Sequence, residues 1–300
     1  MSQCIISIII PTYNKSNRLM CTLKNLQYAK CSDKAELIVV NDGSTDNTSD
    51  VIDECFEKYL YSSYLKMQKI NINHSGRAFA RNTGVNYASA DLLLFLDDDI
   101  IITPNLLPEH ISCKKENQIV RGTIYDLTYL KFFDDPYGGT FKFSNRIKKF
   151  LPKLNMEWNY DTLCKEYLNK YSKMSSFEKD ILRVYNERRE AKYRWIGCVG
   201  TNFSITLNTL NKVDGFDEAF GTTWGCEDLE FGYRQYKNKT DFIKNSMAVC
   251  YHMSHYRHGY QKEHAINMEY FLKKHPEWMI KTLELYFRNE INICEWLKMN

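Results

Sequence analysis

Three consecutive carboxylates, Asp97, Asp98 and Asp99, follow the apolar run Leu92 to Leu96 and stand before Ile100. Adjacent carboxylates repel and raise one another's pKa, so such a cluster at the end of a buried strand calls for a cation. A divalent metal neutralises it while leaving open positions for a phosphate, which makes metal–phosphate chemistry the leading expectation. The plainer alternative is an acidic turn, because Asp is common where strands end. Two further blocks carry chemistry-bearing side chains. Trp224, Glu227 and Asp228 lie within five residues of one another, and His252, His255 and His258 follow the strand-like run Met247 to Tyr251. Imidazole nitrogen beside carboxylate oxygen suits manganese better than calcium, with magnesium as the alternative ion.

The elements that must position these groups can be read from periodicity. Ile5 to Ile10, Leu37 to Val40, Leu65 to Ile72 and Leu92 to Leu96 read as strands. Between them, Asn17 to Tyr28 carries Leu19, Leu23 and Leu26 at helical spacing, a second helix begins near Asp46, and Arg77 to Tyr87 forms a third. Strands alternating with helices predict a parallel sheet with crossover helices. In such sheets ligands gather at the carboxyl ends of the strands, where Pro11, Asp42, His74 and Asp97 all fall. Arg77 and Arg81, four residues apart, share a helix face; they read as partners of a diphosphate, as ties to Asp42 and the acidic loop, or as solvated surface arginines.

Four segments in order, Ser7 to Asn14 (SIIIPTYN), Val39 to Asp46 (VVNDGSTD), Gly76 to Gly84 (GRAFARNTG) and Phe95 to Ile100 (FLDDDI), resemble the nucleotide-sugar half of a family 2 glycosyltransferase. The fold implied is α/β of the GT-A kind, a Rossmann-like, mostly parallel sheet flanked by helices, with a C-terminal helical extension. The run Trp224 to Asp228 (WGCED) resembles the WGxED element of β-1,4-galactosyltransferases and chondroitin-type polymerases, where it opens a helix facing the donor sugar.

The resemblance implies an inverting transfer of a hexose or N-acetylhexosamine from a UDP-sugar to a glycan, a lipid-linked sugar or a peptide side chain. On the donor side it implies Pro11, Tyr13, Asn14, Asp42, Arg77, Arg81, Asp97 and Asp98. Tyr13 offers a face for uracil, Asp42 an acceptor for its imide hydrogen, and the arginines meet the diphosphate. Asp99 and His252 are the expected ligands of Mn2+ or Mg2+, ahead of Asp97 and His255, with His258 also open. Asp97 and Asp99 are expected to alternate in an extended segment and point the same way, with Asp98 turned elsewhere. Asp228 is the implied catalytic base, kept ionised by a helix amino terminus; Glu227 orients the acceptor or a donor hydroxyl, and Trp224 walls a sugar ring. The competing readings are a nucleotidyltransferase and a non-catalytic protein that binds sugar nucleotides.

Composition narrows the setting. The 300 residues suffice for one α/β domain with additions, and ten scattered cysteines without CxxC pairs read as reduced thiols of a cytoplasmic protein. A formal charge of +3 without basic blocks excludes a nucleic-acid footprint, and no apolar stretch approaches a membrane span. The expected organisation is a GT-A domain over 1–258 and a helical extension over 259–300. The domain divides into a nucleotide-binding half (1–125), a helical, lid-like or acceptor segment (126–195) and an acceptor or catalytic half (196–258). The segment from Tyr129 to Tyr193 mixes Phe132, Phe133, Tyr137, Phe141, Phe150, Trp158, Tyr160 and Tyr171 with many lysines and arginines. The tail reads as two helices broken at His275-Pro276. Trp278, Leu283, Tyr286, Phe287, Ile291, Cys294 and Trp296 give it an apolar surface for packing on the domain, for a homodimer or for peripheral membrane contact.

Overall fold

The computed structural model describes residues 4–131, 152–155, 157–255 and 259–300. Phe132, Phe133, Tyr137, Phe141 and Phe150 of the aromatic segment, and His258, lie outside the described residues. Strands β1 (Ile6–Thr12), β2 (Ala35–Asp42), β3 (Lys66–Ile72) and β4 (Leu92–Phe95) pair in parallel in the order β3-β2-β1-β4. Every residue of β1, β2 and β4 is buried, which is why these strands are near-continuous apolar runs rather than alternating ones. Helices α1 (Ser16–Leu26), α2 (Thr48–Cys55) and α3 (Arg77–Tyr87) supply the crossovers. Because β1, β2 and β4 run the same way, Thr12, Asp42 and the residues after Phe95 emerge at one edge.

The rest of the sheet is mixed rather than mostly parallel. β8 (Phe203–Thr206) joins β4 and β6 (Gln118–Leu127) antiparallel to both, and β9 (Asp241–His252) runs parallel to β6. β5 (Ile100–Ile102) closes the far edge antiparallel to β9, and β7 (Ser172–Lys173) pairs with β6. The acidic loop therefore leaves β4 in the sheet's middle and arrives in β5 at its edge. That edge places Ile100 opposite His252, while β6 places Asp126 opposite the same histidine. Helix α4 (Leu106–Ser112) carries the buried His110, whose ring meets Ser204 Oγ at 2.8 Å and Asn202 Oδ1 at 2.9 Å. Burial pushes His110 down to about 4, so it stays neutral.

Helix α5 (Ser176–Glu187) starts at Ser175, whose hydroxyl accepts from the Glu178 amide. Helix α6 (Glu227–Lys237) has Glu227, Asp228 and Glu230 in its first turn and Arg234 and Lys237 in its last, the charge order that suits a helix dipole. The tail contains three helices instead of two: α7 (Tyr260–Lys274), α8 (Trp278–Phe287) and α9 (Ile293–Met299). Pro276 accounts for the first break. The second comes at Asn292, which caps α9 reciprocally with Glu295, a signal that lies five residues past the end of an apolar helix. Ile280, Leu283, Ile293, Trp296 and Leu297 are buried in the same cluster as Ile9, Phe95 and Phe203, so the tail completes the main core. Trp158 packs separately with Leu127, Leu163 and Met253. Among the described residues no helix is long and apolar enough to cross a membrane.

Candidate active site

The acidic loop is held by two threonines before any carboxylate is considered. The Asp97 amide donates to Thr201 Oγ1 (3.0 Å), the Ile100 amide to Thr22 Oγ1 (3.0 Å), and Thr22 in turn donates to the Asp98 carbonyl (3.0 Å). Asp98 and Asp99 form a turn, not the extended segment expected, and their side chains share Lys15 Nζ while Asp97 turns to Arg81. Asp97 lies 3.4 Å from Arg81, and Asp98 accepts from Thr12 Oγ1 at 2.7 Å. Asp99 meets Lys15 Nζ at 2.6 Å, His255 Nε2 at 3.2 Å and His252 Nε2 at 3.5 Å, all through Oδ2.

Asp99, His252 and His255 are the one group among the described residues with metal-ligating geometry, their donor atoms lying within 4.8 Å of one another. Both histidines are brought to Asp99, whereas Asp97 turns to Arg81 and stands outside this group. The donor set fits a divalent cation: one carboxylate, two imidazoles, and a buried Asp99 Oδ1 with no hydrogen-bond partner. His252 Nδ1 is 2.9 Å from Asp126 Oδ1, the outer carboxylate that commonly orients a ligating imidazole. Burial pushes Asp99 up, but Lys15 and His252 outweigh it and hold the carboxyl well below its usual range. Burial also works against a charged His252, yet Asp99 and Asp126 together outweigh it and raise the ring to about 10. Asp98 goes the other way, raised chiefly by burial.

A cavity of about 630 Å³ runs from this cluster past Arg77 to Tyr13, Asp42 and His74. Pro11 and Asp42 line it as expected. Tyr13 stacks on His74 at 3.8 Å between centroids, and Asp42 is engaged by His74 Nδ1 (2.9 Å), the Ser75 amide (2.7 Å) and the Gly76 amide (3.0 Å). Gly76 is required there: it has φ +96°, and a Cβ would lie 1.9 Å from the Gly221 carbonyl oxygen. Asn14 is not brought into the cavity. Its side-chain oxygen accepts from the Thr45 and Asp46 amides, and its own amide donates to Ser44 Oγ, so it ties the ends of β1 and β2 together.

Arg81 is no surface arginine. Fully buried, it donates to Glu227 Oε1 (3.0 Å) and to the Gly200 carbonyl (3.3 Å) besides facing Asp97, and so joins the acidic loop to the start of α6. Arg77 stays half-exposed, 3.8 Å from Glu227 and over the Trp224 ring at 5.8 Å. Burial pushes Glu227 up, but Arg77 and Arg81 outweigh it and hold its carboxyl below the usual range. Asp228 differs. Its carboxylate accepts from the Gly200 amide (2.6 Å) and the Leu229 amide (2.8 Å), yet burial, reinforced by Glu227, pushes it up to about 7. The helix dipole alone does not keep this group fully ionised, contrary to the sequence-based expectation.

A second cavity of about 720 Å³ opens on Asp228 and shares Arg77, Asp97, Trp224, His252 and Tyr260 with the first. Its far wall comes from the tail: His264, Met268 and Phe287. The tail also holds the Trp224 loop, since Asn267 Nδ2 donates to the Thr223 and Gly225 carbonyls and Glu263 accepts from the Trp224 amide. Lys15, Asp126, Glu263, His264 and Asn267 were absent from the residues inferred from sequence. Only Lys15 carried a local signal, its place immediately after the strand-end motif; the others reach the site through pairing and packing.

Known proteins place these features in context. Residues 7–183, more than half of the chain, match the model described as glycosyl transferase family 2, and residues 181–261 match one described as the N-terminal domain of galactosyltransferase. Validoxylamine A glucosyltransferase of Streptomyces hygroscopicus subsp. jinggangensis is 26% identical over 91% of this chain and 61% of its own length. Chondroitin synthase of Pasteurella multocida is 29% identical over 82% of this chain and 24% of its own. The chain thus spans less than two thirds of either. In fold it resembles a mannosyltransferase from Pyrobaculum calidifontis in complex with GDP-Man and Mn2+ (TM-score 0.55, 16% identity, 87% of this chain and 59% of that one). It also resembles S. aureus TarS in complex with UDP-GlcNAc (TM-score 0.53, 17% identity, 89% and 65%). The architecture is the GT-A fold.

Proposed function

This chain belongs to glycosyl transferase family 2, and from that premise we propose that it is an inverting, metal-dependent enzyme moving a hexose or N-acetylhexosamine from a UDP-sugar to an acceptor hydroxyl of a glycan, lipid-linked sugar or peptide. The observation that carries this reading is the meeting of the two cavities. Cation-binding side chains line one, Asp228 lines the other, and Arg77, Asp97, Trp224, His252 and Tyr260 form their common wall.

The roles follow from placement. Tyr13, with His74 beside it, stacks the uracil. Among the described residues Asp42 Oδ1 accepts only the Ser75 amide, so it keeps a lone pair for the imide N–H. Asp99, His252 and His255 hold Mn2+ or Mg2+, oriented through Asp126. When bound, that ion neutralises charge on the departing diphosphate, which removes any need for a carboxylic acid on the leaving side. Arg77 adds positive charge at the same wall, while Arg81 positions Asp97 and Glu227. Asp228 takes the proton of the acceptor hydroxyl as that oxygen attacks the anomeric carbon from the face opposite the nucleotide. A pKa near 7 suits that task, because such a carboxylate is both substantially ionised and basic at neutral pH. Trp224, His264 and Phe287 wall the acceptor. Residues 1–258 supply the donor and catalytic groups, and 259–300 complete the acceptor wall.

The test is UDP release from a panel of UDP-hexoses and UDP-N-acetylhexosamines, with manganese and with chelator, since slow donor hydrolysis requires no knowledge of the acceptor. Metal-dependent release from one donor is expected. Silence across the panel together with failure to bind UDP would overturn the reading.

A further inference from the structure

Lys15 sits between β1 and α1, and its side chain crosses to the acidic turn, where Nζ lies 2.6 Å from Asp99 Oδ2 and 3.2 Å from Asp98 Oδ1. His252 Nε2 and His255 Nε2 converge on that same Asp99 oxygen. One ammonium shared by two neighbouring buried carboxylates offsets half of their negative charge without metal, which lets the turn fold before any ion arrives. It also sets up a conflict. Because both imidazoles face Oδ2, an ion shared by the three ligands would meet that oxygen at roughly 2.0–2.2 Å, and an ammonium at hydrogen-bonding distance from it would face a dication across one oxygen atom.

Resting on the metal reading above, we propose that Lys15 is the resident cation of the metal site: it competes with the divalent ion for Asp99 and, when displaced, turns into the donor cavity to meet the diphosphate. Lys15 already lines that cavity, together with Tyr13, Asp97 and Arg77, so the displaced ammonium has a short path to a new anionic partner. Two consequences are separable. Metal alone binds more weakly than its ligands permit, because the open form of the site is only partly populated; a site open one tenth of the time shows about a tenfold weaker apparent affinity. Nucleotide and metal also assist one another beyond direct ligation, because the diphosphate draws Lys15 away from Asp99, and such coupling is reciprocal.

The experiment is a Mn2+ titration followed by electron paramagnetic resonance at constant pH, without nucleotide and with UDP, on the wild type, Lys15→Met and Lys15→Arg. Lys15→Met keeps much of the side chain's bulk and removes the charge. It is expected to bind Mn2+ alone about tenfold more tightly than the wild type and to show a smaller gain on adding UDP. Lys15→Arg, which keeps the charge, is expected to stay close to wild type. Melting temperature gives a second readout: Lys15→Met should lose stability in chelator and recover more than the wild type on adding Mn2+. If Lys15→Met does not fold, the same comparison is made between Asp98→Asn and Asp98→Asn/Lys15→Met, where one of the two acids is already neutral. Equal or weaker Mn2+ binding by the charge-free variant, or tightening by the arginine variant too, overturns the proposal while leaving the metal site intact. Absence of Mn2+ binding by the wild type, even with UDP, removes the metal reading itself and this proposal with it.

Discussion

The cavity proposed for the donor is lined by ionic side chains set at the ends of β1, β2, β4 and β9, whereas the one proposed for the acceptor mixes Arg81, Glu227 and Asp228 with an apolar wall of Met268 and Phe287 from helices packed late in the chain. On the donor side each charge has a partner within a few ångströms: Asp42 with the 74–76 loop, Asp97 with Arg81, and Asp98 and Asp99 with Lys15. Asp228 in the other cavity is the exception, since burial, reinforced by the neighbouring Glu227, pushes it up to about 7 despite the Gly200 and Leu229 amides. On the proposed reading, the contrast teaches that the two tasks are divided by dielectric setting: nucleotide binding would use paired charges, and proton abstraction would use a carboxylate whose surroundings disfavour its charge.

Breaking the donor side should have the largest effect. Asp99→Ala removes the oxygen on which Lys15, His252 and His255 converge, and metal-dependent binding of UDP is expected to vanish in calorimetry. Retention of manganese-enhanced UDP binding by that variant would place the metal elsewhere. Asp126→Asn is milder. It leaves the ligands in place but weakens the hydrogen bond that fixes the His252 ring, and a drop of about 10- to 100-fold in Mn2+ affinity is expected with little change in melting.

The acceptor side should fail through packing. Trp296 is fully buried in the main core and meets Tyr193 edge-on, so Trp296→Ala is expected to cost about 3–5 kcal/mol in urea unfolding. A change below about 1 kcal/mol would mean that the tail is an appendage. His264→Ala should raise the acceptor KM several-fold and leave UDP and Mn2+ affinities unchanged, an outcome that equal losses on both sides would contradict.

The smallest and sharpest distinction is in pH. With its pKa near 7, Asp228 should make kcat/KM rise tenfold per unit below pH 7 and level off above it, because only the carboxylate accepts the proton. The linked stability runs the other way. A carboxyl whose folded pKa lies above its unfolded value of about 3.9 binds its proton better when folded, so its contribution is present at low pH and is lost as pH rises from about 4 to 7. Asp228→Asn should therefore melt higher than the wild type at pH 8, and equal melting there would argue against the raised pKa.

Much of the donor side was legible because a parallel strand advertises itself. The unbroken apolar runs of β1, β2 and β4 located the edge, and Pro11, Asp42 and Asp97 follow from it. Helix α3 was read with its observed limits, Arg77 to Tyr87. Asn14 is engaged in a loop clasp, which sequence cannot tell from a ligand contact, and Asp126 was missed because its partner lies 126 residues away across a β6–β9 register. The sheet's mixed half and the third tail helix were hidden for a similar reason: antiparallel insertion of β8 depends on tertiary order, and α9 begins from a cap rather than a fresh apolar period. The Asp228 pKa was opposite in direction because local helix position was visible and burial was not.

The account's central claim is that binding and chemistry reside in different cavities, and Asp228→Asn tests it most directly. UDP affinity with manganese and the rate of UDP release from the accepted donor would be measured on the same preparation. Affinity within about threefold of the wild type, with release slowed by roughly 10²- to 10⁴-fold, is the expected result. Full release by the variant, or a loss of UDP affinity equal to the loss of rate, would contradict the claim.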